Sequence, residues 1–262
     1  MVYALLISEA PANSMMASLA AGRTVYGAWM HLAYQPATML MLKEAGLDFV
    51  LVDLEHGPAS VETVAGLAVV GRALDLPLIV RPPSASREWI TRLLDAGVFG
   101  LRIPGVDSVE IAQEVVFAAR YAPIGMRGHG PPGPYTDYTH GVDPAAINEQ
   151  IHITIMLESP AGFSAIDEIL SVPGIDAVSI GPGDLTQELG LHGTPEGAQA
   201  VAGYVEQMYA AARRHNKDVT MHANNAEQIE QHKSAGARII YLPSDGDVLQ
   251  QFYGDLLASA RE

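Results

Sequence analysis

Eight short apolar runs, each followed by a stretch with helical spacing, constrain this chain more than any other feature of it. The runs cover residues 24–30, 48–53, 76–81, 100–103, 151–158, 177–180, 218–222 and 238–242. They are rich in β-branched residues and mostly lack polar alternation, the pattern of strands covered on both faces of a parallel sheet. The spacing between them predicts helices over 35–45, 60–74, 86–96, 108–119, 163–170, 195–216, 226–235 and 246–261. Parallel strands need a crossover, and a helix supplies it. Eight βα units in 262 residues predict an α/β fold, a (β/α)8 TIM barrel, which typically takes about 250 residues. A doubly wound open sheet is the rival. Its Gly-rich first turn is missing here, because the first turn reads Met30-His-Leu-Ala-Tyr-Gln35. No linker or low-complexity segment divides the chain, so one barrel domain is expected over 1–262. Residues 1–23 form a lead-in whose helix is capped by Asn13 and closed by Gly22. Residues 121–142 read as a long loop rich in Gly, Pro, Tyr and His.

Composition narrows the partners. A formal net charge of −15 disfavours nucleic acid and anionic membrane surfaces. It leaves room for an anionic small substrate met by a few local arginines. Without cysteine there is no disulfide and no thiolate nucleophile. The start, Met1-Val-Tyr-Ala-Leu-Leu-Ile7, lacks a basic region, and no apolar run reaches about 18 residues. A soluble cytoplasmic protein is the expectation.

In a βα-barrel the carboxyl ends of the strands build the active site. Those ends offer Trp29 and His31, then Asp53, Glu55 and His56, then Arg81. Arg127, in the loop after the fourth run, is followed by Glu158, Asp184 and His222. A buried strand that ends in a carboxylate is costly unless the charge is paired. Glu158 and Asp184 occupy matching ends, which points to a hard divalent cation held by both. The competing reading is two helix N-caps. A cation beside an arginine and a histidine suits a 2-oxo acid, whose enolate charge the ion stabilises. Arg81 would steady the same oxygen or bind the carboxylate. His56 has a pKa suited to proton transfer. The amides of Gly183 and Asp184 open a helix and favour an anion, and Trp29 is a further candidate substrate contact. Blander roles stand beside these: Arg81 as a structural ion-pair partner, His56 as a turn residue, and His31, His129, His140 and His222 as loop or packing residues. A Schiff-base mechanism finds no support, since Lys43, Lys217 and Lys233 all lie away from the strands' carboxyl ends.

Five segments together resemble a known family. They are Val52-Asp-Leu-Glu-His-Gly-Pro58, Val80-Arg-Pro82, Tyr121-Ala-Pro-Ile-Gly-Met-Arg-Gly128, Leu157-Glu158 and Ile180-Gly-Pro-Gly-Asp-Leu185. From about Gly22 onward the chain is similar to the HpcH/HpaI aldolases, class II pyruvate aldolases acting on 4-hydroxy-2-oxo acids. The resemblance implies Glu158 and Asp184 as ligands of Mg, Mn or Co, and Arg81 as the residue that holds the pyruvyl oxygen. It implies His56 as the acid–base group, Asp53 as its accompanying acid, and Asp95 as an aspartate paired with that histidine. It also implies a homo-oligomer, a hexamer or trimer, whose C-terminal helix packs on a neighbouring barrel. Asp95 closes a helix at the bottom of the barrel, about a strand's length of ~17–20 Å from the catalytic face. A catalytic histidine paired with it would therefore belong to the neighbouring subunit. Met156 departs from the glutamine common in the family, and residues 129–142 differ from the usual loop that helps choose the aldehyde. The expected activity is reversible retro-aldol cleavage of a 4-hydroxy-2-oxo acid to pyruvate, or a close 2-oxo acid, and an aldehyde. Two alternatives remain: a malyl- or citryl-CoA-type lyase, for which this acidic chain offers little basic surface, and a non-catalytic 2-oxo-acid binding protein.

Overall fold

The computed structural model describes residues 12–130 and 143–261. His140, most of the expected long loop and the first part of the lead-in therefore lie outside the described residues. The elements run α1 (Ser14–Ala20), β1 (Val25–Met30), α2 (Pro36–Glu44), β2 (Phe49–Asp53), α3 (Val61–Ala73), β3 (Leu78–Arg81), α4 (Arg87–Asp95) and β4 (Gly100–Ile103). They continue with α5 (Val109–Ala119), α6 (Pro144–Gln150), β5 (His152–Leu157), α7 (Pro160–Ser164), α8 (Ile166–Ser171), β6 (Ala177–Ile180), α9 (Pro182–Glu188) and α10 (Pro195–His215). β7 (Asp218–His222), α11 (Ala226–Ala235), β8 (Ile239–Leu242) and α12 (Asp245–Arg261) complete the order. The eight strands form one closed parallel barrel in sequence order, and β1 meets β8 with Val25 opposite Ile239. The expected (β/α)8 barrel is what forms.

The element ends follow local chemistry. Ser60, Ser108, Thr194 and Asn225 each sit one residue before a helix and accept an amide hydrogen bond from its first turn. α10 closes with Asn216 at φ +52°, a left-handed conformation that Asn tolerates better than most residues. Two expectations needed correction. The helix expected over 163–170 is two short ones, α7 and α8, meeting at Ala165. α6 was not anticipated, although Asp143 accepting from Ala145 and Pro144 at the first helical position are start signals for it.

Two apolar regions hold the barrel. Outward-facing strand residues such as Val50, Leu101, Ile103 and Ile155 pack beneath the helices in one continuous core. A smaller cluster inside the barrel joins Val25, Trp29, Phe49, Leu51, Ile79, Ile239 and Tyr241. Gly27 belongs to this interior by necessity, because a Cβ there would lie 2.3 Å from the ring of Phe49. The inner wall is apolar on the β8–β3 side as far as Asp53 and Arg81 at the strand ends. On the β4–β7 side it carries buried Arg102, His152, Thr154, Ser179 and Thr220. No helix of the described residues is long and apolar enough to cross a membrane.

Candidate active site

The C-terminal end of the barrel opens into a cavity of about 410 Å³. Trp29, His56, Arg81, Glu158, Gly183 and Asp184 all line it, so most of the residues singled out from the sequence come together.

Arg81 ends β3 opposite Asp53, which ends β2. Its Nε donates to Asp53 Oδ1 at 2.8 Å and its Nη2 to Oδ2 at 2.6 Å. Nη1 lies 3.1 Å from Glu55 Oε2. Burial opposes the charge on Asp53, but the Arg81 hydrogen bonds and charge outweigh it and hold the carboxyl below its ordinary value. Burial likewise works against the Arg81 charge, and Asp53 reverses it. Glu55, less well paired, is pushed up chiefly by burial. Arg81 is therefore both a site residue and an ion-pair partner, with two carboxylates already on its guanidinium. His56 stands at the rim with its side chain 65% exposed, 3.8 Å from Glu55. His31 Nε2 lies 3.8 Å from Asp53. The loop after β1 is tied down by Asp245 at the start of α12, which accepts from the amides of His31, Leu32 and Ala33.

Glu158 follows β5 and is held by the amide of Gly105, which donates to Oε1 at 2.6 Å. Its second oxygen, Oε2, is buried without a hydrogen-bond partner. Gly181 makes room for it, since a Cβ there would come within 2.5 Å of that oxygen. Burial raises the Glu158 carboxyl to about 7; the Gly105 bond opposes this, and the charges of Glu55 and Asp184 add to it. Asp184 lies in the first turn of α9 and faces the same cavity. The donor set fits a hard divalent cation: two carboxylates side by side, one with an orphaned buried oxygen, and both oxygen ligands. No group of three or more ligating side chains occurs among the described residues.

Asp95 is elsewhere. It closes α4 and accepts from Arg127 Nη2 at 2.7 Å within its own chain, and neither residue lines the cavity.

Arg102 was missed by the sequence reading, although it lines the cavity from β4. Its guanidinium hydrogen-bonds Ser179 Oγ and His222 Nε2. His222, open to the cavity, stacks on Trp29 and on Tyr241 with ring centroids 5.4 Å from each, the three rings forming a triangle. The enclosing barrel wall first, and the Arg102 charge second, drive its pKa well below the histidine range. The only available signal was a charge inside the run Gly100-Leu-Arg-Ile103.

An eight-stranded βα-barrel with carboxylates and guanidinia gathered at its C-terminal mouth is the frame of a barrel enzyme for a small molecule. The family described as HpcH/HpaI aldolase/citrate lyase matches residues 26–251, and the chain belongs to that family. The hydroxypyruvate/pyruvate aldolase of Roseovarius nubinhibens is 33% identical over 256 residues, 96% of this chain and 98% of the relative. The 4-hydroxy-2-oxovalerate aldolase of Rhodococcus jostii is 36% identical over 216 residues, 78% of this chain and 81% of the relative. Among solved structures, the HpcH/HpaI aldolase from Desulfitobacterium hafniense superposes with a TM-score of 0.87 at 32% identity, covering 94% of this chain and 96% of that one. The resemblance carried by the five motifs is thus met over nearly the whole chain.

Proposed function

We propose that the protein is a class II aldolase that cleaves a 4-hydroxy-2-oxo acid to pyruvate, or a close 2-oxo acid, and an aldehyde. The observation that carries this reading is the pair Glu158 and Asp184 on the cavity wall, one oxygen of Glu158 buried and unpartnered, beside the clamped Arg81. Glu158 and Asp184 would hold Mg, Mn or Co, and the bound ion would supply Lewis acidity toward the enolate charge.

The chain's own residues have distinct tasks. Asp53 fixes the plane of the Arg81 guanidinium, so its remaining N–H groups are aimed before substrate arrives. These donors favour the 2-oxo oxygen as it gains charge. His56, exposed at the rim, takes the proton from the C4 hydroxyl. The C3–C4 bond then breaks, its electrons pass into the enolate, and the C4 carbonyl leaves as the aldehyde. A proton delivered to C3 completes the 2-oxo acid. Trp29 forms an apolar wall beneath Arg81, whose guanidinium carbon is 5.0 Å from the ring centroid.

Assembly and setting belong to the same reading. α12 exposes Val248, Leu249, Phe252, Tyr253, Leu256 and Leu257, an apolar stripe at helical spacing. The stripe supports a homo-oligomer, a hexamer or trimer, in which α12 packs on a neighbouring barrel in the cytoplasm. The decisive assay is pyruvate release from a 4-hydroxy-2-oxo acid with Mn²⁺. The expected result is turnover that EDTA abolishes. No turnover with any of the three metals would overturn the reading.

A further inference from the structure

Arg102 is held in an unusual way for a buried charge. It is 2% exposed and projects from β4 into the barrel, while its neighbours Leu101 and Ile103 pack outward. Nε donates to Ser179 Oγ at 3.3 Å, and Nη1 lies 3.2 Å from His222 Nε2. The guanidinium carbon is 5.1 Å from the Trp29 ring and 5.2 Å from the Tyr241 ring. Among the described residues no carboxylate pairs with it. The other buried arginines, Arg120 and Arg127, and the half-buried Arg81 differ, each carrying a carboxylate at 2.6–2.7 Å.

Burial pushes Arg102 down to about 10, so it keeps its charge near neutrality. His222 cannot neutralise it. A neutral imidazole can only lend its Nε2 lone pair to the guanidinium, which uses that nitrogen up as an acceptor. The result is a cation whose neighbours are a hydroxyl, an imidazole and two aromatic faces. A buried charge of this kind is costly unless an anion meets it. Arg81 already carries Asp53 and Glu55, and its remaining N–H groups are turned to the 2-oxo oxygen, so a second carboxylate falls to Arg102.

Depth decides which part of the substrate Arg102 meets. In the barrel register Arg102 lies opposite Thr154, four residues before Glu158 along β5. It forms part of the cavity floor, below Glu158 and in line with Arg81, because Val80 pairs with Leu101 on the neighbouring strand. A 2-oxo acid held at Glu158 and Asp184 lies between that floor and the mouth. The aldehyde approaches from above, on the side where His56 is exposed.

We propose that Arg102 is a specificity-determining residue that takes a second carboxylate carried by the 2-oxo acid, so that the preferred nucleophile is a 2-oxo dicarboxylate. The inference rests on the aldolase reading for the placement of the oxo acid. In the cleavage direction, the favoured substrate carries that carboxylate on C3 or on a chain borne by C3. A hydrogen bond between charged partners is worth enough to give a preference of at least ~10-fold.

The test is equilibrium calorimetry on the Mn²⁺-loaded protein with two unreactive 2-hydroxy acids, malate and lactate. Malate should bind at least ~10-fold tighter than lactate. Arg102→Met should bring the two affinities within about 2-fold of each other, and Arg102→Lys should restore part of the difference. Equal binding of malate and lactate by the unaltered protein overturns the proposal, whether or not the variants fold. An unchanged preference in a folded Arg102→Met protein overturns it too. A second arm compares propanal with succinic semialdehyde as partners of pyruvate. A carboxylate preference found only on that arm, and lost in Arg102→Met, would overturn the assignment to the oxo acid. Binding needs no turnover, so failure of the aldolase reading is seen separately, as absence of release of any 2-oxo acid, pyruvate or a 2-oxo dicarboxylate, from the matching 4-hydroxy-2-oxo acids.

Discussion

Arg81 and Asp53 meet as two parallel hydrogen bonds, 2.8 Å from Nε to Oδ1 and 2.6 Å from Nη2 to Oδ2, across the ends of adjacent strands. The pair joins stability to chemistry. Asp53 is 1% exposed, so removing its partner leaves a buried charge uncompensated. The same contact fixes the direction in which Arg81 offers its free N–H groups.

Arg81→Ala should therefore fail on two measurements. Urea unfolding should show a loss of about 3–5 kcal/mol, the usual cost of breaking a buried pair. Cleavage kinetics should show kcat/KM lower by at least ~10²-fold, the scale for one lost oxyanion donor. Arg81→Lys should rescue neither well, because a point charge cannot reproduce the planar fork. A near-normal rate for Arg81→Ala would confine Arg81 to a structural role.

Glu158→Ala and Asp184→Ala should each abolish Mn²⁺ binding while the circular dichroism of the barrel is retained. Calorimetric titration reads this directly, without substrate. Full EDTA-sensitive turnover in either variant would exclude that residue as a ligand.

The raised carboxyl of Glu158 has consequences for pH. Its folded value of about 7 lies above the ordinary 4.5, so between these values the metal-free folded protein binds more proton than the unfolded chain. Stability from this group is present below about pH 4.5 and is lost as pH rises through about 7. The thermal midpoint of the metal-free protein should fall over that window, and Glu158→Gln should flatten the slope. Metal requires the ionised carboxylate, so Mn²⁺ affinity should rise with pH up to about 7 and then level off. An affinity independent of pH from 5 to 8 would count against Glu158 as the ligand.

His56→Ala should slow pyruvate enolisation by roughly 10²–10⁴-fold, the usual share of a general base. Exchange of the pyruvate methyl protons with solvent, followed by NMR, reports that step without any aldehyde. Unchanged exchange would remove His56 from proton transfer.

Assembly can be probed at both of its points. Phe252→Asp with Leu256→Asp should break the oligomer in light scattering, since both side chains lie on the exposed stripe of α12. Mixing His56→Ala with Asp95→Ala chains under subunit exchange should recover activity if Asp95 serves a neighbour's histidine. Its own-chain bond to Arg127 offers the contrary explanation, that Asp95 only anchors the loop after α5. Absence of recovery despite exchange would favour the anchor.

What the sequence by itself determined was most of what is local or periodic, the short helix α6 and the break at Ala165 excepted. The eight apolar runs set the number and order of strands, because a parallel strand buried on both faces needs continuous apolar sequence and a helical return. Asn13 marked the start of α1 through its side-chain oxygen, which accepts from the Met16 amide. The position of Glu158 and Asp184 at strand ends was legible for the same reason, since a barrel has one catalytic end. Partner choice was decided only in three dimensions. Whether Arg81 faced substrate or a carboxylate depended on the β2–β3 register, and that register places Asp53 opposite it. Arg102 escaped notice because Gly100-Leu-Arg-Ile103 fits a buried strand in either phase. Closure of the barrel turned Arg102 inward, under Trp29 and beside His222, and a one-residue slip would have pointed it outward.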